Sequence, residues 1–220
     1  FRRDYIELET PMLQMIHGGA AARPFTTHMN ALDTELYLRI ATEIYLKRAV
    51  VGGVDRVFEI NRNFRNEGMD SSHSPEFTAL EAYEAYSDYN GMADLTRDLI
   101  QQAARDAFDL SEGEEIVRLA DGTEYDLSGE WDRIDLYGST SEALGEEITV
   151  ETPRETLVKY AERVGLEVDD YAVSGKIVED IFEELVGSKL WAPTFVYDFP
   201  EDTSPLTRYH RSRPGLTEKW

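Results

Sequence analysis

Apolar and polar positions alternate through residues 56–67, RVFEINRNFRNE, and again through 76–86, EFTALEAYEAY. In the first run Phe58, Ile60 and Phe64 share one face, and Glu59, Asn61, Asn63, Arg65 and Glu67 share the other. In the second, Phe77, Ala79, Glu81 and Tyr83 fall together opposite Thr78, Leu80, Ala82 and Tyr86. A period of two is that of a β-strand. The stretch between the runs, 68–75, is built from loop-forming residue types, so the pair predicts an antiparallel hairpin.

Shorter patterns fill the rest of the first half. YIELE at 5–9 reads as a strand stopped by Thr10-Pro11, and ELYLRI at 35–40 as another. Between them HGGAAARPF is a small-residue loop, where adjacent glycines permit close backbone approach. ATEIYLKRAVV at 41–51 predicts a helix with Thr42 as N-cap and Gly52-Gly53 as its stop. GMADLTRDLIQQAARDAFDL at 91–110 predicts an amphipathic helix. Asp121-Gly122 marks a second hairpin, and helices are expected around 139–145, 153–165 and 175–187, the second opened by Thr152-Pro153. A strand pattern returns at 192–200, and Arg208, His210, Arg211 and Arg213 form a basic cluster in the tail.

Composition narrows the class. With 220 residues and 41% hydrophobic content the chain can bury a sizeable core. It has no apolar run of membrane-spanning length. Beginning at Phe1 with no leader pattern, it reads as an internal piece of a longer protein or a trimmed one. The absence of cysteine excludes disulfides and thiolate metal sites and fits a cytoplasmic location. Net charge is −22, from 44 acidic and 22 basic residues, of which 17 are Arg and 5 Lys. That balance disfavours broad contact with a phosphate backbone by this segment. It reads as a solubilising surface or as the surface of a protein from a high-salt host.

The hairpin carries the candidate chemistry. One side would present Arg65, Glu67, Phe77, Glu81 and Tyr83. Arg supplies a planar fork for carboxylate or phosphate, Phe a face for a flat ring, and two carboxylates with a phenol can hold an ammonium. Ala79 leaves room above the sheet. The same pattern also fits a solvated face with cross-strand ion pairs.

Those residues carry a resemblance. FRNEG, the loop and HSPEF resemble motif 2 of class II aminoacyl-tRNA synthetases. ETPMLQMIHGGAAARPF, YLRIATEIYLKR and VGGVDRVFEINRNFRNEG are similar to the bacterial type of lysyl-tRNA synthetase, and FVYDFPEDTSPLTRYHRSRPGLTEKW to its actinobacterial members. The resemblance covers almost the whole chain and is weaker over 111–190. It implies an α+β fold, an antiparallel sheet flanked by helices with a small inserted helical subdomain. The division it implies is a catalytic core at 1–110, an insert at 111–190 and a return to the core at 191–220. FRRDYIELETP matches the end of motif 1, with Pro11 at the dimer interface. Motif 3 and the residues that hold magnesium have no match, so Mg2+ ligands are expected outside this segment and none within it.

The chemistry the resemblance implies is ATP-dependent activation of L-lysine to lysyl-adenylate, followed by transfer to tRNA(Lys), in a homodimer that makes no membrane contact through this segment. Arg65 matches the residue that bridges the α-phosphate and the amino-acid carboxylate. Glu67 matches the reader of the adenine amino group, Phe77 the stacking ring, and His73 the loop residue near the terminal phosphates. Gly19 matches a backbone contact to lysine in the small-residue loop, and Glu43 the carboxylate that takes its α-amino group. Glu81 and Tyr83 match the residues facing the ε-ammonium. His17, His28 and His210 lack metal-ligand spacing. Other outcomes of the same resemblance are a paralogue that lysylates a translation factor, a two-part enzyme that supplies lysyl-tRNA for lipid lysylation, and a non-catalytic dimerisation or regulatory module.

Overall fold

The computed structural model describes residues 3–71 and 73–220. Phe1 and Arg2, which open the motif 1 match, and Ser72 of the loop lie outside the described residues. The architecture is α+β, with small sheets and five α-helices among the described residues. The chain divides into two compact units, Phe1–Ser87 and Asp88–Trp220.

The first unit contains β1 (Ile6–Glu7), β2 (Leu13–Gln14), β3 (Thr26–Met29), β4 (Thr34–Leu38), α1 (Glu43–Val51), β5 (Arg56–Phe64) and β6 (Glu76–Glu84). β4 is flanked by β2 and β3, both antiparallel to it. β5 lies between β6, antiparallel, and β1, which runs parallel to it. The predicted hairpin is β5–β6, paired from Arg56↔Glu84 to Phe64↔Glu76. It stops short of the alternation at both ends. The Arg65 amide still reaches the Pro75 carbonyl at 2.9 Å, but the Asn66 amide leaves the hairpin for the Arg23 carbonyl at 2.8 Å. At the far end Tyr86 has φ 61°, incompatible with an extended strand.

Burial on the hairpin runs against its apolarity. Glu59 and Asn63 are 1% exposed, whereas Ile60 is 52% and its cross-strand partner Leu80 is 51% exposed. The polar face is therefore not a solvated one. The reason is Arg39, fully buried just after β4, which pairs with Glu59 and so makes burial of that carboxylate tolerable.

Thr42 precedes α1, as the spacing predicts, but does not cap it through its side chain. Its backbone is helical (φ −91°, ψ −12°), not the extended form from which a hydroxyl reaches the second or third amide. The hydroxyl is buried without a hydrogen-bond partner among the described residues. The Thr42 amide is instead taken by Glu81 Oε1 at 3.1 Å.

The second unit contains α2 (Tyr89–Phe108), β7 (Ile116–Arg118), β8 (Glu124–Asp126), β9 (Asp132–Asp135), α3 (Leu136–Leu144), α4 (Arg154–Arg163), α5 (Ser174–Leu185) and β10 (Thr194–Tyr197). α2 and α3 each begin two or three residues before the apolar periodicity. The side chains of Asp88 and Asp135 cap them by accepting the Gly91 and Gly138 amides at 3.0 and 2.7 Å. Thr152 does not cap α4, because its hydroxyl accepts the Thr149 amide at 2.8 Å. β7 and β8 form the predicted hairpin, with Gly122 at φ 89° in its turn. β9 pairs parallel with β10, Ile134 opposite Val196, across the intervening helices. Leu136, Leu157, Ala161, Ile177, Val178 and Ile181 form the apolar core of α3–α5. A smaller cluster joins Ala93, Phe195 and Tyr197 with Tyr89, Trp131 and Trp220. None of the described helices is long and apolar enough to cross a membrane.

Candidate functional site

The register of β5–β6 sets the site. Asn63 lies opposite Phe77, Asn61 opposite Ala79, Glu59 opposite Glu81 and Val57 opposite Tyr83. Directly opposed residues of an antiparallel pair point to the same side. The odd-numbered side chains of both strands therefore share one face, and Arg65 continues it.

Two carboxylates directly opposite would repel. Glu59 and Glu81 avoid this by taking different partners. Glu59 is bound by Arg39, Thr10 and Asn61. Glu81 accepts the Thr42 amide through Oε1 and the Tyr83 hydroxyl through Oε2 at 2.8 Å. It thus sits at the amino end of α1, where the helix dipole favours an anion. The Tyr83 hydroxyl is held far above its ordinary value, first by burial and then by the charges of Glu81 and Glu43. It stays protonated and remains a donor at any working pH.

Glu43 opens α1 and closes the acidic end of the site. Gly19 packs against it: a Cβ built on Gly19 would lie 3.0 Å from the Glu43 Cβ and 3.3 Å from the Ala41 Cβ. With φ 88° as well, Gly19 is a position only glycine fills without strain. An ammonium is already drawn to this corner. Lys47 pairs with Glu43 and stands 5.9 Å over the Tyr83 ring.

Arg65 and Phe77 form the middle of the face. The guanidinium stands 5.0 Å over the Phe77 ring, and Nε approaches the Ile40 carbonyl at 3.5 Å. Glu67, exposed beyond the strand end, accepts the Arg23 amide at 3.2 Å. His73 lies apart in the loop. Its Nδ1 is 2.9 Å from the Asp70 carboxylate, which also accepts the His73 amide. Pro11 is exposed, with its carbonyl 3.5 Å from Gln14 Nε2.

The structure thus brings together Gly19, Glu43, Glu81 and Tyr83, and separately Arg65 with Phe77. Glu67 and His73 are tied to the loops that flank the strand ends. The sequence reading missed Arg39 and Thr10, which hold Glu59 on that face, and Lys47 beside Glu43. The signal for Arg39 was a lone charge between Leu38 and Ile40 in an apolar run. The basic tail cluster is neutralised within its own unit. Arg213 pairs with Asp135 and Asp198, Arg211 with Glu218 and His210 with Asp198.

The family model of class II tRNA synthetases (D, K and N) matches residues 1–220. The chain is 60% identical over 219 residues to a lysine–tRNA ligase of Kineococcus radiotolerans, and 61% over 221 residues to one of Mycolicibacterium gilvum. These alignments cover 99% and 100% of the chain but 43% of each relative, so the chain spans less than half their length. It is also 50% identical over 222 residues, 99% of its length, to the lysylphosphatidylglycerol biosynthesis bifunctional protein LysX of Mycolicibacterium vanbaalenii, covering 20% of that protein. The chain therefore belongs to the class II tRNA synthetases of the D, K and N group.

Proposed function

We propose that this chain is the lysine- and ATP-binding core of a lysine–tRNA ligase, which activates L-lysine with ATP and passes it to tRNA(Lys). The observation that carries the reading is the Glu81 carboxylate, fixed by the Thr42 amide and the Tyr83 hydroxyl beside Glu43. A carboxylate so held keeps lone pairs free for a third partner, and an ammonium is the group that satisfies it best. Glu81 and Tyr83 take the ε-ammonium, and Glu43, with Gly19 against it, takes the α-amino group. An aspartyl or asparaginyl site would need a donor where Glu81 stands.

In the reaction a lysine carboxylate oxygen attacks the α-phosphorus of ATP and pyrophosphate leaves. No protein nucleophile is required. Arg65 holds the attacking carboxylate and the α-phosphate together and offsets the charge that grows between them. Phe77 stacks on adenine, Glu67 accepts from its amino group, and His73 meets the terminal phosphates. Mg2+ would neutralise phosphate charge. The described residues hold no converging group of three metal-ligating side chains, so no step here is assigned to it. Dimerisation through the Pro11 segment, a cytoplasmic setting and the core–insert–core division of the chain at 111 and 190 belong to the same proposal.

A second reading is favoured by the LysX relative: the same adenylation site within a longer protein that serves lipid lysylation. Both readings are tested by lysine-dependent ATP–pyrophosphate exchange in the parent protein, with aspartate and asparagine as controls. Exchange with lysine alone supports the site assignment. Exchange with aspartate or asparagine, or with none of the three, refutes it.

A further inference from the structure

Bound to Glu59, on the same face of β5–β6 as Glu81, is a charged group that none of the proposed steps uses. Arg39 is 0% exposed. Its Nε donates to the Arg62 carbonyl at 2.8 Å, and its own carbonyl accepts the Phe64 amide at 2.9 Å. One residue thus grips two of the last three positions of β5, Arg62 and Phe64, and Arg65 is the next in the chain. Nη1 is fixed by the Thr10 carbonyl (3.0 Å), the Thr10 hydroxyl (3.1 Å) and Glu59 Oε1 (2.9 Å). Glu59 is itself held by the Thr10 amide at 3.1 Å and the Thr10 hydroxyl at 2.6 Å. The Arg65 Nε approaches the carbonyl of Ile40, the neighbour of Arg39, at 3.5 Å.

We propose that Arg39 is a positioning residue for Arg65: its clamp on Arg62 and Phe64, anchored to Glu59 and Thr10, fixes where the Arg65 guanidinium stands over Phe77. The inference rests on the lysine-activation reading for its catalytic consequence, though not for its geometry. Arg39 is fully buried and is assigned no contact with lysine or ATP in the proposed reaction. A buried ion pair is by itself weak evidence of stabilisation, since apolar side chains of similar volume often serve as well. What an apolar pair cannot reproduce is the fork, which bonds Arg62, Thr10 and Glu59 at once. Lysine cannot reproduce it either, because its single ammonium cannot reach all three from one place.

The test is Arg39→Lys in the parent protein, assayed by ATP–pyrophosphate exchange well below its Tm. Ile181→Ala, a core change in the other unit, serves as the stability control. Displacing a positioned group by about 1 Å can cost on the order of 100-fold in rate. Arg39→Lys should therefore lower kcat by roughly 10- to 100-fold, with KM for lysine and ATP within about threefold. Hydrogen exchange at the Phe64 and Arg65 amides should quicken at least about tenfold relative to the control. If Arg39→Lys fails to fold, the double variant Arg39→Met/Glu59→Leu replaces it; the proposal requires that this variant recover Tm but not kcat. An unchanged kcat, or one lowered no further than in Ile181→Ala, overturns the proposal. If the wild-type protein shows no exchange with lysine, the activity reading fails instead. The amide measurements then decide the proposal alone, and unaltered protection at Phe64 and Arg65 rejects it.

Discussion

Among the largest side chains fully removed from solvent, the first unit contributes Arg39, Glu59 and Asn63 beside Ile40, Leu46 and Val57. The second contributes Leu136, Leu157, Ile177, Val178 and Ile181, with Glu115 beside them. The helices of the second unit follow the ordinary rule, apolar inward and charges outward in pairs such as Lys176–Asp180 and Arg163–Glu146. In the first unit the hairpin turns its polar side inward and leaves Ile60 and Leu80 half in solvent. An apolar core supplies stability without regard to direction. A hydrogen-bonded charge network fixes direction and is costly when incomplete. The unit that bears the candidate site uses the second device where the site needs its floor.

The sharpest way to break this contrast is to remove one charge of the buried pair. Arg39→Met should destabilise the first unit by about 3–5 kcal/mol, because Glu59 is left uncompensated. Urea unfolding monitored in that unit checks it, and a loss below about 1 kcal/mol would show that the pair is dispensable. Next comes the apolar core of the second unit. Ile181→Ala should cost about 2–5 kcal/mol by removing buried methylenes and leaving a cavity, with amide protection lost among α3–α5. Equal loss of protection around β5 would contradict the separation of the two units.

The smallest effect is on acid stability. Burial alone would raise the Glu59 carboxyl, but the hydrogen bonds from Thr10 and the Arg39 guanidinium outweigh it and hold it below its ordinary value of 4.5. A group depressed in the folded state contributes stability above its unfolded pKa, and loses it as the pH falls from there toward the folded value. The first unit should therefore weaken as the pH drops below about 4.5, with a slope from this group no steeper than about 1.4 kcal/mol per pH unit. Urea midpoints between pH 6 and 3 should show a shallower acid limb in Glu59→Gln. An identical limb would mean that Glu59 is not a linked group.

Much of the site was legible because a period of two is unforgiving. Once 56–67 and 76–86 pair, Arg65, Phe77, Glu81 and Tyr83 must share a side. Helix ends were legible only to within a turn, because the caps are Asp88 and Asp135, three or four residues before the apolar periodicity. The interior of the first unit was not legible, since parity says only which residues share a face, not which face is covered. The β9–β10 pairing was equally hidden: its partners, Asp132–Asp135 and Thr194–Tyr197, meet only through the fold between them. The tail arginines looked free in sequence because Asp135, Asp198 and Glu218 become their partners only in three dimensions.

The central claim is that Glu81 reads the ε-ammonium of lysine. Its most direct test compares L-lysine with L-norleucine, which lacks that group, as substrates for ATP–pyrophosphate exchange by the parent protein and its Glu81→Gln variant. A site built to pair a buried polar group rejects an analogue that leaves it unpaired by roughly 10⁴-fold. The account predicts discrimination of that order in the wild type and its collapse in Glu81→Gln, with weaker lysine binding by about 1–3 kcal/mol. Undiminished preference for lysine in Glu81→Gln would contradict it.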